Sequence, residues 1–239
     1  MAIYVLVHGG GGGGWVWGRM APWLRAAGHE VYTPTLTGVG ERSHLLRPDT
    51  DLETHIADIL GVLKYEDLHD VILVGHSYGG MVITGVADRA ADRVGQLVYL
   101  DAATPLNGES LVDLSPDLME LARRDVRVEN GVEVVLGPDT QATRQVGSRD
   151  ADIVGWKAGR QTPHPWITFA QPLRLDNPQA VARIARTNIN CLSTLRMRPK
   201  DKLQRALTAD RVWEIDTTHD LMITEPRKVA EMLLSLAAP

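Results

Sequence analysis

A serine between glycines directly follows a short apolar run, and this pairing constrains the fold more than any other feature of the chain. Residues 71–74 (VILV) indicate a buried strand, and residues 75–80 (GHSYGG) place Ser77 at the apex of a tight turn. A helical pattern follows from Met81. A serine at such a strand-to-helix turn adopts a strained backbone conformation that small neighbours accommodate. The strain is expected to lift its hydroxyl clear of the sheet.

Short apolar runs alternate with helical patterns on both sides of this turn. Strands are predicted at residues 3–7, 31–34, 71–74, 97–100, 188–193 and 212–215. Helices are predicted at residues 15–27, 52–65, 81–91, 200–207 and 226–236. This alternation is typical of a parallel sheet with helices on both faces. We therefore predict an α/β fold with a mostly parallel sheet of about six strands flanked by helices.

The alternation breaks in the middle of the chain. Residues 102–185 carry seven prolines and mostly helical or irregular patterns. We interpret them as a helical cap insertion that lies over the sheet. Residues 1–101 and 186–239 are then expected to form the core.

Composition and charge limit the kinds of binding partner and the cellular compartment that we expect for this protein. The net charge of −5 offers no basic surface for nucleic acid, and no segment approaches the ~20 apolar residues that span a bilayer. The single cysteine, Cys191, suits a reducing compartment and is expected to be a buried small hydrophobe. We predict a cytoplasmic protein without a nucleic-acid or membrane partner. Its oligomeric state stays open, a homodimer included.

Ser77 requires a base, because a free serine hydroxyl is a poor nucleophile near neutral pH. His219 follows the last predicted strand, and loops at the carboxyl ends of parallel strands gather at one edge of a sheet. We expect His219 to meet Ser77 there, the alternative being a solvent-exposed loop histidine. Other histidines are assigned to packing or hydrogen bonding (His8 and His76) or to the surface and turns (His29, His44, His55 and His69).

A carboxylate should hold the histidine in the correct tautomer, and its position is less clear. No Asp or Glu occurs in residues 177–200, which include the loop after the strand predicted at 188–193. Asp101 ends the strand that follows the turn's helix, on the same sheet edge as Ser77, and is the predicted acid. The alternatives are no acid at all or one of Asp201, Asp216 and Asp220.

Six consecutive glycines, residues 9–14, follow the first predicted strand. Acyl transfer needs two backbone N–H groups directed at the developing oxyanion. Gly10 and Tyr78, the residue after the serine, are the predicted donors. Phosphate binding by the glycines is the alternative, but a lysine is missing from the P-loop position and no acidic residue ends the second strand.

The predicted substrate pocket draws on the glycine loop and on aromatic residues of the cap. Gly11, Trp156, His164 and Trp166 are the predicted substrate-binding residues, and they would line an apolar acyl or aryl pocket. The alternative for the cap residues is a small core within the cap itself.

Three motifs together resemble the α/β-hydrolase superfamily: residues 8–10 with 14–17 (HGG and GWVW), 75–80 (GHSYGG) and 219–222 (HDLM). The chain is similar to the branch that contains plant methyl-ester esterases, hydroxynitrile lyases and bacterial esterases. This resemblance covers nearly the whole core. It implies a nucleophile, a base and two oxyanion donors at Ser77, His219, Gly10 and Tyr78. No metal or organic cofactor is expected.

Departures from the relatives affect the expected chemistry. The lyases place a threonine where Gly9 stands and a lysine where Asp220 stands, so cyanohydrin cleavage is disfavoured. The plant esterases carry their acid in the loop that lacks one here. Dehalogenase-like relatives carry theirs after the strand that follows the elbow, which supports Asp101. Those relatives and the epoxide hydrolases use an aspartate nucleophile, so Ser77 disfavours both reactions.

The leading hypothesis is a serine hydrolase that cleaves small, apolar carboxylic esters through an acyl-enzyme intermediate. A lyase, thioesterase or polyketide-tailoring enzyme with the same serine and histidine is the alternative. A non-catalytic ligand-binding protein is the third hypothesis. The expected partner in the leading hypothesis is a small-molecule ester.

Overall fold

A central parallel sheet organises the computed structural model, which describes residues 1–135 and 140–237. Pro138, one of the prolines of the predicted cap, lies outside the described residues. The six strands of the sheet are β1 (Ile3–Val7), β2 (Glu30–Tyr32), β3 (Val71–His76), β4 (Val94–Leu100), β8 (Ala185–Cys191) and β9 (Arg211–Ile215). They lie in the order β2-β1-β3-β4-β8-β9, and every neighbouring pair is parallel. The predicted six-stranded α/β architecture is confirmed.

Helices connect these strands and cover both faces of the sheet. The helices of the two chain segments that form the sheet are α1 (Ala21–Ala26), α2 (Leu52–Tyr65), α3 (Gly79–Arg89), α10 (Leu192–Leu195), α11 (Lys200–Ala206), α12 (Leu221–Thr224) and α13 (Pro226–Leu234). Two 3-10 helices cover Gly14–Trp17 and Gly40–Leu45. The single helix predicted at 15–27 is wrong. Pro22 has no backbone N–H, so it fits the first turn of α1 but does not continue an earlier helix.

The strand side chains alternate between two apolar layers, as the period of a strand requires. Val5 and Leu73 pack with the buried side chains of α2 and α3. Tyr4 and Val74 face the other layer, which contains the buried side chains of α1 and α13. Both faces are therefore apolar, which explains why β1 and β3 are continuous hydrophobic runs rather than alternating ones.

Residues 102–184, here called the β4–β8 segment, connect two neighbouring strands of the sheet. The segment contains α4 (Leu111–Leu114), α5 (Pro116–Arg124), α6 (Gln141–Val146), α7 (Ala151–Ala158), α8 (Ile167–Ala170) and α9 (Pro178–Val181). It also contains a small antiparallel sheet of β5 (Arg127–Glu129), β6 (Val132–Val135) and β7 (His164–Pro165). The mostly helical or irregular structure predicted for this region did not include these strands.

A two-residue turn explains the unpredicted hairpin between β5 and β6. Glu129 pairs with Val132, so only Asn130 and Gly131 form the connection. Both have positive φ, 51° and 81°. Asn-Gly is the dipeptide that favours this turn, so the signal was present in the sequence.

None of the described helices is both long enough and apolar enough to cross a membrane.

Candidate active site

Ser77 occupies the turn between β3 and α3 with a left-handed backbone, φ 54°. Close backbone packing permits this turn. A Cβ placed on Gly75 would lie 2.7 Å from the Gly79 carbonyl oxygen, and one on Gly79 would lie 2.7 Å from that of Val7. Side chains at these glycines would therefore push β1, β3 and α3 apart. The strained turn expected from the sequence is present, and the serine lines a cavity.

The structure brings Ser77, His219 and Asp101 into one hydrogen-bonded chain. His219 Nε2 lies 2.8 Å from Ser77 Oγ, and His219 Nδ1 lies 2.6 Å from Asp101 Oδ2. A carboxylate only accepts hydrogen bonds, so Nδ1–H donates to Asp101 and Nε2 is left to accept from the serine hydroxyl. Each of the three residues follows the carboxyl end of a strand: β3, β4 and β9.

The Asp101 carboxylate is buried and well supplied with donors. Thr194 Oγ1 lies 2.7 and 2.8 Å from its two oxygens, and Arg198 Nη2 lies 3.4 Å away. The Cys191 N–H also donates to it, at 3.3 Å. Burial alone would raise the pKa of Asp101, but the hydrogen bond and charge of His219 and the charge of Arg198 hold that pKa well below its usual range. The carboxylate therefore stays ionised.

The other acids considered from the sequence lie elsewhere. Asp201 is exposed and pairs with Lys202 at 3.1 Å. Asp216 is exposed. Asp220 pairs with Lys157 at 2.6 Å and accepts a hydrogen bond from the Ser148 N–H. None of the three is hydrogen-bonded to His219. The loop predicted after the strand at 188–193 lacks an acid; in its place the structure has α10, which supplies the Thr194 hydroxyl to Asp101.

Two contacts of its backbone hold His219 in place. The His76 Nε2–H donates to the His219 carbonyl oxygen at 2.9 Å, and the His219 N–H donates to the carbonyl oxygen of Val146 at 3.0 Å. Burial and the neighbouring His219 lower the pKa of His76, so it stays neutral and retains one donor nitrogen. The expectation that His76 would hydrogen-bond is confirmed.

The predicted oxyanion donors lie beside the serine. Gly10 and Tyr78 both line the cavity that Ser77 lines. Within residues 1–135 and 140–237, neither of their backbone N–H groups has a hydrogen-bond partner. A Cβ on Gly9 would lie 2.8 Å from Ser77 Cβ, so the glycine loop passes directly against the serine. Unpaired N–H groups in this position are available to a bound oxygen atom.

A cavity of about 430 Å³ opens above these groups. This volume is typical of sites for small organic molecules. Its walls are mostly apolar and come from both the sheet region and the β4–β8 segment, including Trp15, Leu111, Leu114, Met119, Phe169 and Met222. In the part of the chain that the structure describes, no group of three or more His, Cys, Asp or Glu residues is placed to hold a metal ion.

The four residues predicted to bind substrate do not line this cavity. Gly11 and His164 bond to each other instead, with Gly11 N–H donating to His164 Nδ1 at 3.2 Å. His164 is fully buried and stacks on Phe169, with 4.5 Å between the ring centroids. The prediction of substrate contact does not fit their placement behind the lining.

The two predicted tryptophans also lie behind lining residues. Trp156 packs edge-to-face against Trp15, with centroids 5.2 Å apart. Trp166 packs edge-to-face against Phe169, with centroids 6.3 Å apart. Trp15 and Phe169 line the cavity, whereas the two predicted tryptophans do not. The alternative assignment, a small core within the cap itself, fits Trp166, whereas Trp156 packs on Trp15, outside the predicted cap.

The assignment of His55 to the surface is wrong. His55 is fully buried on the inner face of α2. Its Nε2–H donates to the Thr37 carbonyl oxygen at 2.9 Å, and its Nδ1 accepts from the Tyr78 hydroxyl at 2.9 Å. The spacing signal existed, because residue 55 is four positions before the buried Ile59 and three after Leu52.

These elements and this site define a hydrolase of the α/β class, and the comparisons agree. The model of the alpha/beta hydrolase family matches residues 4–232, and the chain belongs to that family. A carbendazim hydrolyzing esterase from Nocardioides sp. (strain SG-4G) is 39% identical over 241 residues, covering 99% of this chain and 100% of the relative.

More distant relatives share the whole length and the fold. Polyneuridine aldehyde esterase from Rauvolfia serpentina is 23% identical over 254 residues, covering 98% of this chain and 95% of the relative. A solved extracellular alpha/beta-hydrolase from a Paenibacillus species superposes with a TM-score of 0.80 at 23% identity, covering 98% of both chains. The resemblance to the esterase branch is confirmed, and the relatives support ester hydrolysis as the class of reaction.

Proposed function

We propose that this protein is a serine hydrolase of small, apolar carboxylic esters, with Ser77 as nucleophile, His219 as general base and Asp101 as the acid that orients the histidine. One observation carries the proposal: His219 lies 2.8 Å from the serine hydroxyl on one side and 2.6 Å from a buried carboxylate on the other. This is the arrangement that raises the reactivity of a serine hydroxyl.

In the first half-reaction, Ser77 Oγ attacks the ester carbonyl carbon while its proton moves to His219 Nε2. The N–H groups of Gly10 and Tyr78 stabilise the negative oxygen of the tetrahedral intermediate. The intermediate then expels the alcohol, which takes the proton from Nε2. An acyl group remains on the serine. The ionised Asp101 stabilises the imidazolium that exists between the two proton transfers.

In the second half-reaction, water takes the place of the alcohol. His219 Nε2 removes a proton from the water as its oxygen attacks the acyl carbon. The second tetrahedral intermediate collapses and returns the proton from Nε2 to Ser77 Oγ. A carboxylic acid is released, and the site returns to its starting state.

The substrate class is inferred from the cavity. Its volume of about 430 Å³ and its apolar walls suit a small ester with an apolar acyl or aryl group. The β4–β8 segment supplies much of that wall, which supports the assignment of residues 102–185 as a cap. The one cysteine, Cys191, is buried and unpaired, which supports a reducing, cytoplasmic location.

The test is turnover of a panel of p-nitrophenyl esters of increasing acyl length, with carbendazim added because of the 39% identical relative. We expect saturable hydrolysis by the wild type, strongest for the short esters, and a loss of about 10⁵–10⁶-fold in kcat for Ser77→Ala. Ser235→Ala, which changes an exposed serine at the end of α13, is the matched control. Equal turnover by Ser77→Ala and the wild type would reject the proposed nucleophile.

A further inference from the structure

The loop that carries the Gly10 N–H is a single tight turn. The Gly12 N–H donates to the Gly9 carbonyl oxygen at 3.3 Å, which closes residues 9–12. Gly11 has φ 66°, the left-handed conformation that the third residue of a type II turn requires. The peptide unit that joins Gly10 to Gly11 contains the Gly11 N–H, and the unit before it contains the Gly10 N–H. Rotation of the first unit therefore changes the orientation of the second, because only the Gly10 Cα lies between them.

The β4–β8 segment holds Gly11 on both sides. The Gly11 N–H donates to His164 Nδ1 at 3.2 Å, and the Gly11 carbonyl oxygen accepts from the Thr162 N–H at 3.1 Å. These partners are about 150 positions away in the sequence. The glycine loop is therefore fixed by contacts from the far segment as well as by its own turn.

The hydrogen bonds of His164 allow only one tautomer. Nδ1 accepts from Gly11, so the ring proton is on Nε2, which donates to Thr168 Oγ1 at 2.8 Å. The Thr168 hydroxyl in turn donates to the Pro165 carbonyl oxygen at 2.9 Å. Burial, with His55 and His8 nearby, lowers the pKa of His164 well below its usual value. The neutral ring keeps the lone pair that Gly11 needs.

The same cluster packs against the second predicted donor. The Tyr78 ring lies edge-to-face with His164, with centroids 5.0 Å apart, and its hydroxyl donates to His55. Burial raises the pKa of Tyr78, so this hydroxyl keeps its proton. Gly11, which follows the first predicted donor, and the side chain of Tyr78, the second, are therefore held by one buried group of side chains.

We infer that His164 is a positioning residue for the oxyanion site: by accepting the Gly11 N–H, it fixes the turn that directs the Gly10 N–H beside Ser77. This inference rests on the proposed function. His164 does not act on substrate itself, because it is fully buried, does not line the cavity and has both ring nitrogens engaged. Its effect is exerted through the backbone of the glycine loop.

The test compares His164→Leu, which removes the acceptor, with His164→Asn, whose Oδ1 occupies nearly the position of Nδ1. We expect His164→Leu to lower kcat by about 10–100-fold with KM within about twofold, because a displaced oxyanion donor weakens transition-state binding more than substrate binding. His164→Asn should recover most of this loss. The pH dependence of kcat should not move in either variant, because His219 and Asp101 keep their contacts. The exposed His44→Leu is the matched control.

A second measurement does not depend on turnover. Amide hydrogen exchange in the peptide that covers residues 8–14 should become faster in His164→Leu and return toward the wild-type rate in His164→Asn. Thr168→Val keeps the histidine but removes the partner of Nε2, and it should reproduce a smaller loss, about threefold to tenfold in kcat. If His164→Leu does not fold, Thr168→Val tests the positioning role in its place.

The outcomes separate the two hypotheses. Absence of ester hydrolysis by the wild type would reject the proposed function. Unchanged exchange and unchanged kcat in folded His164 or Thr168 variants would overturn the positioning role while leaving the esterase in place. A His164→Asn variant as impaired as His164→Leu would also overturn it, since the acceptor would then not be the feature that matters.

Discussion

The sheet and the β4–β8 segment contribute to the site in different ways. The sheet carries Ser77, Asp101 and His219 at the carboxyl ends of three parallel strands, where the fold alone brings loops together. The β4–β8 segment carries none of these groups. It lines the cavity and bonds to the two loops next to them, through Gly11 on one side and through His219 on the other. The proposed reacting groups thus come from the strand ends, while part of their positioning comes from the β4–β8 segment.

Further contacts link the segment to the histidine loop. Lys157 on α7 pairs with Asp220, the residue after the histidine, and the Ser148 N–H donates to the same carboxylate. Both side chains of this ion pair are largely buried. If the sheet and the β4–β8 segment have these different roles, changes at the strand ends should mainly lower the rate of hydrolysis. Changes at the contacts between the two regions should mainly lower stability or displace loops.

Among the changes at the strand ends, Asp101→Asn is expected to have the largest effect on the rate after Ser77→Ala. The amide cannot accept from the His219 Nδ1–H in the way that the ionised carboxylate does, so the histidine loses its correct tautomer. We expect kcat to fall by about 10⁴-fold, with a loss of stability of about 1–3 kcal/mol because Thr194 and Arg198 lose a charged partner. Steady-state kinetics and thermal unfolding measure the two effects.

The matched control is Asp201→Asn, which changes an exposed acid. Its kcat should stay within about twofold of the wild type. A reversed order, with Asp201→Asn inactive and Asp101→Asn active, would contradict the role that the sheet has in this comparison.

The buried ion pair gives the largest expected effect on stability. Asp220→Asn leaves the Lys157 ammonium without its carboxylate, and removing one partner of a buried pair costs about 3–5 kcal/mol of unfolding free energy. Urea denaturation measures this loss. Arg227→Met, which breaks the exposed pair with Glu231, should leave the midpoint nearly unchanged. An Asp220→Asn variant as stable as the wild type would show that this contact does not hold the two regions together.

A second ion-pair contact predicts how stability depends on pH. Burial of Glu109 opposes its ionisation, but hydrogen bonds from Arg205 and Lys202 on α11 outweigh this and lower its pKa to about 2. The pKa in the unfolded chain is about 4.3, so this contribution is complete above that pH and is lost as the pH falls toward 2. We expect Glu109→Gln to lower the free energy of unfolding at pH 7 by about 1–3 kcal/mol.

The pH profile tests the sign of this effect. The stability difference between Glu109→Gln and the wild type should shrink between about pH 4.5 and pH 2, as measured by urea denaturation at each pH. The exposed Glu120→Gln is the control for a surface carboxylate. A difference that grows as the pH falls would contradict the assignment of a lowered pKa.

The smallest effect concerns Cys191, which lies inside the sheet region. Burial raises the pKa of its thiol, and the thiol donates to the Thr218 carbonyl oxygen at 3.1 Å. Because the thiolate is the reactive form, we expect no alkylation by iodoacetamide over an hour at pH 8 in the folded protein and complete alkylation in urea. Intact-mass analysis measures this. Rapid alkylation of the folded protein would show that this part of the core opens readily.

The sheet region could be predicted closely from the sequence because its signals are local. The predicted first strand and the helix at 52–65 have the bounds that the structure gives, since uniform apolar runs and one-sided helical spacing mark them. The fourth strand begins earlier than predicted, at Val94, because Gly95 and Gln96 interrupt its apolar pattern. Because loops at the carboxyl ends of parallel strands converge, the sequence predicted Asp101 as the acid ahead of its alternatives, and the structure has it 2.6 Å from His219.

The β4–β8 segment could not be predicted in the same way. The burial of His164 depends on a bond to Gly11, and no local pattern reports a partner 153 positions away. The hairpin at Asn130 did carry a local signal, the Asn-Gly dipeptide. It lies in a proline-rich region that was interpreted as mostly helical or irregular. Thr194 shows a third case: the sequence showed that an acid was missing from the segment after β8, but not that the Thr194 hydroxyl would bind Asp101 at the end of another strand.

The central proposal is that the hydroxyl at position 77 becomes covalently acylated with help from the histidine at 219. The most direct measurement is to incubate the protein with a fluorophosphonate, digest it and locate the added mass. We predict a single adduct on Ser77, formed at least about 10³-fold more slowly in His219→Ala. An adduct on another residue, or equally fast labelling of Ser77 without the histidine, would contradict this account.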